Sequence, residues 1–125
     1  MTDQSDKADV QCIRMRLKPD SLSRVRAWQA ELNLRSNEVL ETLRDEGVFI
    51  ESVFLDEIDD EHYLIYYMRG VNLGQSREVA QKSSHTIDEY HHAFMEAVRA
   101  DGGHSKLECL IDFENRPGSP PLGDS

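Results

Sequence analysis

Four residues close together in the sequence have the types and spacing that proton transfer needs: His85, Asp88, His91 and His92. On a helix, with about 100° per residue, Ile87, His91, Phe94 and Val98 fall in one stripe, so His91 lies among apolar neighbours while Asp88 and His92 sit at its edge. An imidazole held there exchanges protons near neutral pH, since its unperturbed pKa is about 6.5, and Asp88 stands one turn from both His91 and His92 to orient either ring. The same spacing suits a histidine that only fills space and donates one hydrogen bond. It also suits three metal ligands, His85, Asp88 and His92, but neither HExxH nor a second ligand-rich motif accompanies them. The expectation is a catalytic His91 with Asp88, no metal and no cofactor.

A second constellation is Arg14 and Arg16 in an alternating segment, with Tyr67 and Arg69 in another. Burying charge costs several kcal/mol unless it is paired, so guanidinium groups on a sheet face point either to a polar pocket for an anionic or hydroxyl-rich small molecule or to ion pairs with Glu108 and Asp112. On the first alternative Tyr67 joins His91 and Asp88 in catalysis, and Arg14, Arg16, His85 and Trp28 hold the substrate. Trp28 shares a helical stripe with Leu22, Val25 and Leu32, where core packing explains it equally well.

The elements that must carry these residues follow from changes of period. Residues 10–17 alternate, with Ile13, Met15 and Leu17 on one face and Cys12, Arg14 and Arg16 on the other, the pattern of a strand buried on one side. Pro19-Asp20-Ser21 opens a helix, a break follows at residues 33–37, and Gly47 sits where a helix ends. Residues 48–58 and 62–69 flank an acidic tip, Asp59-Asp60-Glu61, and read as a hairpin. A short helix is expected around residues 77–82. Thr86 with Glu89 matches a capping box that starts a helix to about Ala100, Asp101-Gly102-Gly103 ends it, and residues 106–113 alternate as the last strand. That strand would turn Leu107, Cys109, Ile111 and Phe113 to the helices. The order is an α+β, split βαβ arrangement, ferredoxin-like, with helices on one face of a four-stranded antiparallel sheet. Residues 1–9 and the Pro- and Gly-rich residues 115–125 read as disordered tails around one domain, 10–114.

Composition narrows the partners. With 24 acidic against 14 basic residues the chain has a formal net charge of -10, which repels nucleic-acid phosphates and anionic lipids. Acidic composition with few lysines suits a salt-rich, halophilic cytoplasm and equally an ordinary acidic cytosolic protein. Two cysteines, Cys12 and Cys109, make no CxxC motif, and no apolar stretch has the length of a membrane span. The expected location is the cytoplasm, with neither nucleic acid nor membrane as partner.

Lys18-Pro19-Asp20, the run from Val39 to Gly47 into the second strand, and the strand after it resemble the dimeric α+β barrel superfamily, similar in layout to L-rhamnose mutarotases and, more distantly, to antibiotic-biosynthesis monooxygenases. Ser84-His85-Thr86-Ile87-Asp88-Glu89-Tyr90-His91 resembles a pattern found in a group of uncharacterised ferredoxin-like proteins. The resemblance implies a homodimer whose sheets face each other and a small-molecule pocket between sheet and helices. Where a mutarotase would have its catalytic histidine, this sequence has Gln29. The functional expectation is a small-molecule-binding domain of isomerase or oxygenase type working without a cofactor, or else a non-catalytic dimeric interaction domain.

Overall fold

A computed structural model describes residues 8–115. The expected tails at 1–9 and 115–125 fall largely outside those residues. Of the N-terminal stretch, Ala8 is buried and Asp9 already belongs to the first strand, its carboxylate accepting the backbone N–H of Leu73 at 3.1 Å.

The elements are β1 (Asp9–Leu17), α1 (Leu22–Leu34), α2 (Ser36–Glu46), β2 (Val48–Ile58), β3 (Glu61–Gly70), α3 (Leu73–Gln81), α4 (Thr86–Val98) and β4 (Arg99–Lys106). Among the described residues they form an α+β fold with a four-stranded sheet, antiparallel throughout, in the order β2-β3-β1-β4. No helix among the described residues is long and apolar enough to cross a membrane.

Alternation in β1 sets the two faces. Met15 and Leu17 are buried against Val25 and Trp28 of α1 and Phe94 and Val98 of α4, with Ile13 packed beside them, while Arg14 and Arg16 lie on the opposite face. Antiparallel pairing of Arg14 with Ile65 and Cys12 with Tyr67 places Tyr63, Ile65, Tyr67 and Arg69 on that open face too. Leu64 and Tyr66 face the helices. Met15, Leu64 and Val98 are essentially sealed from water, each contributing roughly 2 kcal/mol of transfer free energy.

Local chemistry explains the junctions. Asp59 and Asp60 both have positive φ, 51° and 67°, as a two-residue hairpin turn of the primed kind requires. Gly47 ends α2 in the left-handed region at φ 70°, its N–H on the Arg44 and Leu43 carbonyls. Gly70 is required for a different reason: a Cβ there would lie 2.7 Å from the Gly47 carbonyl oxygen.

Four expectations need correction. The last strand is Arg99–Lys106, not 106–113, although Leu107 N–H still bonds Cys12 O at 2.8 Å. Leu107, Cys109, Ile111 and Phe113 are consequently exposed rather than packed on the helices, Phe113 at 88 %. The third helix starts at Leu73, capped by the Asn72 side chain accepting Gln75 N–H at 3.0 Å, and not near residue 77. The Thr86–Glu89 capping box does not form: His85 is the N-cap residue without a side-chain cap, and the Thr86 hydroxyl instead accepts from Arg35 Nη2 at 2.9 Å.

Candidate functional site

A cavity of about 810 Å³ lies between the helices and the inner sheet face, open to solvent at its margin. That volume falls in the range of small-molecule sites. Its apolar surface comes from core-facing positions such as Ile13, Trp28, Val53, Leu64 and Met95, and its polar groups include Glu46, Glu51, Tyr66, Asp88 and His91.

His91 is the best-defined of these. The helical stripe of α4 points it at α1, where its Nδ1 accepts the indole N–H of Trp28 at 3.1 Å. Trp28 is fixed by stacking on Phe94, with ring centroids 4.6 Å apart and planes 7° from parallel. The Tyr66 ring lies 6.1 Å away on the sheet side, its hydroxyl on Met95 Sδ at 3.1 Å. Burial brings the His91 pKa down to about 4; the neighbouring His92 pushes in the same direction and Asp88 opposes it.

The carboxylates shift the other way. Burial, and then the charges of Asp88, Glu51 and Asp45, push Glu46 up to about 7. As the last residue of α2 it also stands at the negative end of that helix's dipole. Glu51 meets water, yet protein atoms ring it closely enough that desolvation, helped by Asp88, raises its pKa. Desolvation, followed by the charge of Glu51, raises Tyr66 as well. Asp88 Oδ2 is sealed from solvent and has no hydrogen-bond partner among the described residues. The cavity thus holds a neutral imidazole and a carboxyl that changes charge near neutral pH, the combination from which acid and base roles are assembled.

The expected site residues divide between three places. Asp88, His91 and Trp28 line the cavity together. His85 turns away and pairs its Nε2 with Asp45 Oδ2 at 2.8 Å, a hydrogen bond that, ahead of the Asp45 charge, raises its pKa. Tyr67, Arg14 and Arg16 are on the open face, so Tyr67 and His91 do not share a cavity. There the Arg14 guanidinium stands 5.5 Å from the Tyr63 ring centroid and Arg16 pairs with Glu61 at 3.4 Å, in place of Glu108 and Asp112 as partners. Asp112 instead binds Arg69, whose Nε also donates to the Tyr67 hydroxyl at 2.9 Å, and Glu114 lies 3.6 Å from Arg69 Nη1. Among the described residues no three His, Cys, Asp or Glu side chains converge as a metal site would need.

Glu46, Glu51 and Tyr66 were not among the expected residues. Glu51 had a readable signal: it shares the helix-facing alternation of Val53 in β2, where an ionisable side chain is unusual. Glu46, next to a helix-ending glycine, had none.

In sequence, residues 8–117 match a family described as a Family of unknown function (DUF6176). A comparison with curated proteins finds no match.

Proposed function

The chain belongs to this family of unknown function, and from that premise we propose that it is a small-molecule-binding protein that moves a proton on its ligand without a cofactor, in the manner of an isomerase. The observation that carries the reading is the cavity in which Glu46 and His91 have been pushed in opposite directions, one up to about 7 and the other down to about 4. Groups so separated by their surroundings take different roles at one pH. Glu46 is the proton-exchanging group, His91 and Asp88 contact the ligand, and Trp28 forms part of the wall.

The strand order β2-β3-β1-β4 and the helices on one face support a ferredoxin-like architecture; we propose in addition that the domain is of the dimeric α+β barrel kind and works in the cytoplasm as a homodimer. In this reading the open face is the dimer face, with Phe54 and Ile50 exposed at 58 % and 45 % beside Arg14 and Arg16. That exposed apolar surface also favours a second reading, in which the domain only dimerises and catalyses nothing.

A thermal-shift screen against sugars, small carboxylic acids and phenols tests the first reading. One class is expected to raise the melting temperature of the wild type by several degrees. The rise should be largely lost in His91→Ala and in Glu46→Gln. If no class shifts the wild type, or if both variants respond like it, the cavity is not a ligand site and the interaction-domain reading stands.

A further inference from the structure

The one side-chain hydrogen bond that His91 makes among the described residues decides which of its nitrogens holds a proton. An indole N–H only donates, so the Nδ1 that receives it at 3.1 Å must offer its lone pair. A neutral imidazole with an unprotonated Nδ1 carries its hydrogen on Nε2. Protonating Nδ1 would set N–H against N–H at a buried contact and leave the indole donor without a partner, which costs roughly 1–3 kcal/mol. The indole has little freedom to retreat, because it is buried and stacked on Phe94.

Nε2 has no hydrogen-bond partner among the described residues and is not among the sealed atoms, while the side chain lines the cavity. The groups around the ring are Asp88 and His92 from its own helix, Trp28 from α1 and the Tyr66 ring from β3, with Glu46 and Glu51 lining the same cavity from α2 and β2. None of them is hydrogen-bonded to Nε2.

We propose that Trp28 is a positioning residue that holds His91 as the neutral Nε2–H tautomer, so that His91 donates a hydrogen bond to an acceptor oxygen of the ligand, a carbonyl or hydroxyl, and does not itself take a proton. The ligand half of this rests on the proposed function; the tautomer half stands without it. Burial supports both, because it keeps the ring neutral throughout the neutral range. The class of ligand follows: the molecule presents an oxygen lone pair to α4, and an analogue that has lost that oxygen leaves the Nε2–H unpaired.

The tautomer can be read directly by long-range proton–nitrogen NMR correlation on the uniformly ¹⁵N-labelled full chain, with His91 assigned by its disappearance in His91→Gln. The wild type is expected to show one neutral tautomer, protonated at Nε2, from pH 6 to pH 8. Trp28→Phe keeps an aromatic ring on Phe94 but removes the donor, and its His91 is expected to show a mixture of both tautomers. An Nδ1–H signal in the wild type, or an unchanged single tautomer in a folded Trp28→Phe, overturns the proposal. Should that variant not fold, the wild-type spectrum alone still decides. Cyclohexanone and methylcyclohexane then probe the ligand half: millimolar cyclohexanone is expected to move the Nε2 resonance and methylcyclohexane to leave it in place. Equal effects, or none, overturn the acceptor-oxygen assignment while leaving the tautomer result intact.

Discussion

Glu46 and His91 pull the stability of the fold in opposite directions as pH changes. The His91 pKa falls from 6.5 unfolded to about 4 folded, so its contribution is fully present above pH 6.5 and is lost as pH falls toward 4. Glu46 rises from 4.5 to about 7, so the folded state holds the extra proton, and stability is lost as pH climbs from 4.5 through 7. The windows overlap, and the two effects partly cancel in the wild type. Removing one group uncovers the other. Relative to wild type, Glu46→Gln should be more stable at pH 8, by about 1 kcal/mol once the carboxyl's remaining contact with water is allowed for. Its stability should then fall more steeply on acidification from pH 6.5 to 4. A His91→Asn chain should lose up to about 3 kcal/mol less over the same acid range. Urea midpoints across a pH series measure both. Of these residues the sequence marked His91 and Asp88 through helical spacing, because an α-helix's period translates directly into a face. Glu46 could not be found that way, since its altered proton affinity arises from burial and then from the charges of Asp88 and Glu51, all of which only the folded arrangement supplies.

One close approach between elements is where β3 and α2 end together. Gly70→Ala would drive a methyl into the Gly47 carbonyl oxygen, 2.7 Å from the ideal Cβ, with Leu73 Cδ2 and Val48 Cα both 3.1 Å away. Because two of these obstacles are backbone, they cannot rotate aside; a loss of about 2–3 kcal/mol in chemical denaturation is expected, well above that of Gly74→Ala, where the nearest atom is 3.5 Å off. A second junction is the His85–Asp45 pair, which ties the end of α2 to the start of α4. Its contribution is fully present below the ordinary histidine range and fades as pH rises through the elevated pKa of His85. Asp45→Asn should return that pKa toward 6.5, as an NMR titration of the ring will show. Sequence pattern served the hairpin, β1 and α4 well, since each carries its period within itself. It misplaced β4, because Arg99–Lys106 has two glycines and no alternation, and is a strand only through pairing with β1. The alternating residues 107–113, which look more like a strand, are given no inner face to bury.

For the whole molecule the open sheet face is the proposed dimer surface. It mixes aromatic and aliphatic groups from β2 and β3 with guanidinium groups of β1, and β2 is an edge strand exposing Phe49 as well as Phe54. If the homodimer reading is right, sedimentation should give a particle of twice the 14.3 kDa chain, and Phe54→Asp should halve it without altering the helical circular dichroism. A monomeric wild type would remove the dimer from the proposed function while leaving the cavity as it is. One further property comes from the way α4 passes into β4: Val98 is the last helical residue and Arg99 the first of the strand, with no slack between them. Lys18 N–H on the Val98 carbonyl, at 2.7 Å, pins that joint to the end of β1. The helix that holds the imidazole is therefore joined without a loop to an edge strand of the sheet, so α4 has no hinge at its C-terminal end about which to swing away from the cavity.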